Sequence, residues 1–238
     1  MNVQPPEKQS SRTDGMLEVH SIFHTIQGEG PYTGQRATFV RLTGCNLQCP
    51  LCDTEYTNER SWLTPAALLD EVNKSLPEGI QRGGTGLYGF LVVITGGEPF
   101  RQNLYPAIEA LVDAGYNVQI ETNGTLYQDL PFNQIVVVCS PKTGSIHKRL
   151  AQHLTALKYV ICAGDVSEED GLPLSALQHP ANPQLARPPE DFHGIIYVQP
   201  ADEADEQKNK LNLDAAVQSV LKFGHVLQLQ THKIIGLA

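Results

Sequence analysis

The sequence predicts an α/β fold, a partial (β/α) barrel of about six strands that stays open on one side. Three observations carry this expectation. Short apolar, β-branched runs alternate with stretches of helical periodicity along most of the chain, which is the pattern of a parallel sheet with right-handed crossovers. The polar and glycine-rich motifs fall just after those runs, and in open α/β and barrel folds the strand ends are where ligands bind. The repeats are too few to close an eightfold barrel.

Residues 1–15 are rich in Pro, Gln, Ser and charge and read as a disordered tail, leaving 16–238 as a single domain. Leu17, Val19 and Phe23 alternate with polar neighbours, so an extended segment leads into the loop Thr25-Ile26-Gln27-Gly28-Glu29-Gly30-Pro31. Ala37 to Leu42 is a β-run interrupted by Arg41. A charge in an apolar strand is either an edge residue facing water or a paired site residue, and the cysteine loop that follows favours the second. Thr64-Pro65 is a helix start whose apolar face continues through Leu68, Leu69, Val72 and Leu76. Gln81 to Gly89 is a glycine-rich loop, and Phe90 to Ile94 a buried strand running into Thr95-Gly96-Gly97-Glu98-Pro99. Leu104, Ile108, Leu111 and Val112 mark a helix that Gly115 ends.

Asn117 to Glu121 and Ile135 to Val138 are strands, each ending in a polar cluster: Thr122-Asn123-Gly124-Thr125 and Ser140-Pro141-Lys142. A helix is expected over Ser145 to Thr155, a strand over Leu157 to Cys162, and a long proline-containing irregular stretch over Ala163 to Gly194. Ile195 to Val198 is a strand ending at Gln199-Pro200, followed by a helix near Asp214 to Phe223, a strand near Val226 to Gln230 and a polar tail.

Three of the five cysteines, Cys45, Cys49 and Cys52, lie in a C-x3-C-x2-C run directly after the Arg41 strand. Cysteine thiolates are the usual ligands of iron-sulfur clusters, and three of them leave one iron of a four-iron cluster without a protein ligand. Zinc is the rival metal. A structural zinc site needs a fourth ligand, and no second C-x2-C pair exists, so His20 or His24 would have to complete it. Disulfides fit less well, because three cysteines so close cannot all pair. Cys139 and Cys162 end apolar runs and read as packing residues. Free thiols suit a reducing, cytoplasmic setting. No run of the sequence approaches the roughly 20 apolar residues that cross a bilayer, so no membrane partner is expected. A formal charge of −9 argues against a direct grip on nucleic acid. A small molecule is the expected partner.

The cysteine spacing resembles the signature of the radical S-adenosylmethionine superfamily, and Gly96-Gly97-Glu98-Pro99 resembles that superfamily's motif for the methionine end of the cofactor. The resemblance narrows further. Gln27-Gly28-Glu29-Gly30, Phe39-Val40-Arg41-Leu42, Gly44-Cys45-Asn46-Leu47, Cys52-Asp53-Thr54, Ile94 to Pro99, Glu121 to Thr125, Ser140-Pro141-Lys142 and Gln230-Thr231-His232-Lys233 occur in the order of the 7-carboxy-7-deazaguanine synthase family. The resemblance covers Ile22 to Ala238. Leu51 stands where relatives often carry an aromatic residue, and Asn123 where many have Ser.

What the resemblance implies is specific. Cys45, Cys49 and Cys52 would hold a [4Fe-4S] cluster, and Thr54 a Mg2+ ion. Leu51, Cys52, Asp53, Gly97, Glu98, Ser140, Pro141, Lys142 and Gln199 would contact S-adenosyl-L-methionine. Ile26, Gln27, Gly28, Glu29, Arg41, Thr95, His232 and the terminal carboxylate of Ala238 would contact the substrate, 6-carboxy-5,6,7,8-tetrahydropterin. Lys158 and Asp165 are weighed as cofactor contacts and left out of the site. A flavodoxin- or ferredoxin-type reductant and a homodimer are implied as well. The nearest rivals are an activating enzyme for a glycyl-radical partner, which shares the cysteine spacing but lacks the Gln27-to-Glu29 and Thr231-to-Lys233 stretches, and a zinc-binding interaction module.

Overall fold

The computed structural model describes residues 2–50, 52, 54–78, 89–176 and 185–237. Its strands are β1 (Leu17–Ile26), β2 (Arg36–Leu42), β3 (Ser61–Leu63), β4 (Leu91–Gly96), β5 (Asn117–Thr122), β6 (Ile135–Cys139), β7 (Ala156–Ile161), β8 (Ile195–Pro200) and β9 (Val226–Leu227). The helices are α1 (Pro65–Ser75), α2 (Tyr105–Asp113), α3 (Lys148–Ala151), α4 (Glu206–Phe223) and α5 (Thr231–Ile234). Among the described residues the strands form one open sheet in the order β3-β1-β2-β4-β5-β6-β7-β8-β9. From β2 through β9 the neighbours are parallel. β1 runs antiparallel to β2, and β3 antiparallel to β1.

The open α/β sheet agrees with the expected class, but it is wider than the alternation suggests. The extended leading segment is a full edge-region strand, and β3 is a three-residue strand with no periodicity to announce it. Other elements shrink. The helix expected over Ser145 to Thr155 is only the four residues of α3, and the last strand is only Val226–Leu227. The loop expected over 81–89 lies, Gly89 apart, outside the described residues, as does part of the irregular stretch after Ala163. Among the described residues no helix is long and apolar enough to cross a membrane.

Both faces of the sheet are used, which is why its central strands read as continuous apolar runs. Val92 and Ile94 of β4 pack with Ile108, Leu111 and Leu68 in the large core beneath α1 and α2, while Leu91 and Val93 pack in a separate cluster with Ala37. Likewise Leu157, Tyr159 and Ile161 of β7 join the core with Ala216 of α4, and Ala156 turns the other way to meet Val138 and Tyr197. The helices are locally well specified. Thr64 Oγ1 accepts from Ala67 N at 3.2 Å ahead of Pro65, and Asp205 caps α4 by accepting from Gln207 N and Lys208 N.

The segment expected to be a disordered tail is an extended strap laid across the cysteine loop. Asn2 N donates to Pro50 O at 3.0 Å, Glu7 N to Cys45 O at 2.7 Å and Ser10 N to Arg101 O at 2.7 Å. Gln4 Nε2 donates to Thr54 O at 2.9 Å, and Tyr56 N donates back to Gln4 Oε1 at 2.8 Å. Glu7 also pairs with Arg60 and, at 3.3 Å, with Arg101. Its polar composition gives no hydrophobic reason to order; it is held by backbone hydrogen bonds to the loop together with the polar side chains of Gln4 and Glu7.

Candidate active site

The period of two along each strand decides what faces the inner side of the sheet. On β2 that face carries Phe39 and Arg41, on β4 Val93 and Thr95, on β5 Glu121, on β7 Lys158 and Val160, and on β8 Gln199, all of which except Val93 line one cavity of ≈ 590 Å³. Inward residues are apolar toward the strand starts, where Ala37, Leu91 and Ala156 lie buried, and polar toward the ends. The polar ends therefore converge at the mouth, with Arg41 directly beside Thr95 in the register of β2 and β4.

Cys45, Cys49, Cys52 and Thr54 line the same cavity from the loop after β2. That loop is seated by close backbone approach. A Cβ on Gly97 would stand 2.0 Å from Gly44 O, and one on Gly96 2.1 Å from Leu42 O. Only glycine fits at this seam, and Gly97 N and Glu98 N donate across it to Leu42 O and Gly44 O. Burial pushes the Cys45 thiol up to about 12 and raises that of Cys49, so both are neutral until a metal takes the place of the proton. Among the described residues no three His, Cys, Asp or Glu side chains are already gathered as a metal site. Three soft thiol donors on one wall nonetheless suit an iron-sulfur cluster. The buried Oε1 of Gln199, on the cavity lining, has no hydrogen-bond partner and suits a polar ligand beside it. His20 and His24 do not complete a Cys3His zinc site. They are engaged elsewhere, His20 with Glu55 at 2.8 Å and His24 with Thr38 at 3.3 Å.

Ile26, Gln27, Glu29, Arg41, Thr95 and His232 line the same cavity, as do Ser140, Lys142 and Gly97. Lys142 Nζ donates to Ser140 Oγ at 2.6 Å. Arg41 lies 5.3 Å from the ring centroid of Phe23, which stacks on Phe39 at 5.5 Å. Gly28 lies one layer behind. A Cβ there would stand 1.9 Å from His232 Nδ1, so the glycine lets the last segment of the chain seat against the first loop.

Two further expected contacts, like Gly28, are off the cavity lining. Pro141 is buried but off the cavity lining. Glu98 is fully buried beneath it and spends its carboxylate on Phe100 N at 2.9 Å, Thr122 Oγ1 at 2.7 Å and Asn123 N at 2.7 Å. It ties the end of β4 to the end of β5. Burial pushes its carboxyl up to about 7, against the donors that favour the ionised form. Leu51, Asp53 and Ala238 lie outside the described residues.

The structure also adds residues to the site. Lys158, left out of the expected site, pairs with Glu29 and stands 3.6 Å from Glu121 Oε2. Gln27 Nε2 and Gln119 Nε2 donate to Glu121 Oε1 at 3.0 and 3.1 Å, and Gln230 Nε2 donates to Glu29 Oε1 at 2.8 Å. Burial alone would raise the Glu29 carboxyl, but the Lys158 ammonium, helped by Gln230 and His232, holds it well below the usual carboxylate range. The signal for Lys158 was the one that marked Arg41, a charge within an apolar strand, whereas Glu121 sits in a strand that alternates polar and apolar residues.

Thiols on a strand-end loop, sharing one cavity with charged and amide side chains at the C-terminal edge of an open, mostly parallel sheet, fit an α/β enzyme of the radical S-adenosylmethionine class. No family model matches the sequence. The chain is 41% identical over 230 residues to the 7-carboxy-7-deazaguanine synthase of Rhodospirillum rubrum, covering 93% of each. It is 37% identical over 238 residues to that of Rickettsia prowazekii, covering 98% of this chain and 94% of the relative. The crystal structure of QueE from Escherichia coli shares the fold, with a TM-score of 0.67 at 21% identity over 92% of this chain and 99% of that one. The chain belongs to the 7-carboxy-7-deazaguanine synthase family.

Proposed function

We propose that this chain is a radical S-adenosylmethionine lyase that converts 6-carboxy-5,6,7,8-tetrahydropterin to 7-carboxy-7-deazaguanine with loss of ammonia, a step toward queuosine and other 7-deazapurines. The observation that carries the reading is that the three thiols share one cavity with Arg41, Gln27 and Glu29. Cys45, Cys49 and Cys52 would hold a [4Fe-4S] cluster. Held there beside S-adenosylmethionine, such a cluster would supply one-electron chemistry for activating a C–H bond of the pterin.

The chain's own residues position the reactants. Arg41 meets the pterin carboxylate, and its guanidinium favours a charge-assisted pair. Glu29 and Gln27 face the amide and guanidine-like edge of the ring, where acceptors are needed. Thr54 lines the cavity and would offer one hydroxyl oxygen to a Mg2+ ion. Gln199, Ser140 and Lys142 line the wall beside the thiols and suit the polar parts of S-adenosylmethionine. We place the reaction in the cytoplasm on the free thiols, and in a homodimer served by a flavodoxin- or ferredoxin-type reductant on the resemblance alone.

The test is an anaerobic assay of reconstituted protein with the pterin, S-adenosylmethionine, Mg2+ and a reductant. Formation of 7-carboxy-7-deazaguanine without stoichiometric loss of S-adenosylmethionine is expected. Cleavage of the cofactor with the pterin left intact would overturn the substrate while leaving the radical chemistry standing.

A further inference from the structure

The cavity wall holds a buried group of charges that the substrate contacts alone do not explain. Glu29 and Glu121 come from the first loop and the end of β5, and Lys158 from the middle of β7. Side-chain exposures of 11% for Glu29, 10% for Lys158 and 20% for Glu121 keep most of the group from water. The remaining neighbours are amides, Gln27 and Gln119 on Glu121 and Gln230 on Glu29, with His232 as the other titratable group near Glu29. Amides can serve either a carboxylate or a carboxylic acid, so they do not decide the charge state. Two buried carboxylates so near one another would otherwise share a proton. The ammonium between them is the group that decides.

We propose that Lys158 is a positioning residue that sets the pocket's specificity, holding Glu29 and Glu121 as a pair of ionised, acceptor-only carboxylates so that the floor selects heterocycles presenting an amino group and a ring N–H. This rests on the reading of the cavity as the pterin site. An ionised carboxylate only accepts, whereas a protonated one also donates. Without Lys158 the pair retains one proton, and the floor then tolerates a ring whose edge carries a carbonyl oxygen instead of the amino group. The conservative change is informative: Lys158→Arg keeps a cation between the two carboxylates, whereas Lys158→Met keeps the length of the side chain and removes its charge.

The experiment is a fluorescence titration of full-length, cluster-reconstituted protein with two unreactive probes, 6-carboxypterin and 6-carboxylumazine, which differ in the 2-amino and 2-oxo substituents. Wild type should bind the pterin at least about tenfold more tightly, a difference of one strong hydrogen bond. Lys158→Met should bring the two within about threefold, and Lys158→Arg should keep the preference. In turnover, Lys158→Met should raise KM for the pterin far more than it lowers kcat. An unchanged preference in Lys158→Met, or loss of the preference in Lys158→Arg, overturns the proposal. Should Lys158→Met not fold, Lys158→Gln takes its place with the same two outcomes. A wild type that binds neither probe overturns the pterin assignment instead.

Discussion

At the scale of single residues, the site divides into groups that meet ligand and groups that hold the wall, and the sequence did not separate them. Glu98 sits in a motif that reads as a cofactor contact, yet its carboxylate is wholly engaged beneath the cavity. Glu98→Ala leaves three buried donors without an acceptor and should cost about 3 kcal/mol, a fall in Tm on the order of 10 °C for a domain of this size. A melting point within a degree of wild type would return Glu98 to the cofactor's side. Arg41 behaves oppositely. Arg41→Ala should raise KM for the pterin roughly tenfold to a hundredfold, while uncoupled cleavage of S-adenosylmethionine persists; a normal KM would make Arg41 structural. Arg41 was legible because a cation interrupts an apolar run just before the cysteines. Lys158 carries the same mark, but its partners lie 129 and 37 positions away, and spacing cannot express such a meeting.

At the scale of elements, the central strands, α1 and α2 were legible because burial on both faces and helical periodicity leave strong local patterns, whereas α4, expected near Asp214 to Phe223, already begins at Glu206. The strap over 2–15 was not legible, because hydrogen bonds to another loop's backbone require no particular side chains. Its charged clasp is testable by pH. The Arg60 guanidinium, against the effect of partial burial, lowers the Glu7 carboxyl below its usual 4.5. A lowered folded value means that the contact contributes fully above that pH and is lost as pH falls through the lowered value. Hydrogen exchange should therefore show amides of 4–10 protected at neutral pH and progressively open in acid. Glu7→Gln should open them already at pH 7, and equal protection in the variant would assign the strap's order to its backbone bonds alone.

At the scale of the whole molecule, the cavity is completed by segments from opposite ends of the chain. Gly28 O accepts from Gln228 Nε2 and Thr231 Oγ1, contacts that span 200 and 203 positions. The pocket therefore exists only once the last segment has docked, and Gly28→Ala should raise KM for the pterin at least about tenfold by displacing His232, with S-adenosylmethionine binding unchanged. Unchanged kinetics would show that His232 yields without consequence. The seam where Gly96 and Gly97 meet the cysteine loop joins main chain to main chain at a separation that leaves no room for a side chain. Damaged packing between side chains can be repaired by a reciprocal change in the neighbour, but a carbonyl has no alternative allele. A laboratory evolution campaign free to vary all positions would accordingly find second-site suppressors for Glu98 or Lys158, and for Gly97 it would return only reversion.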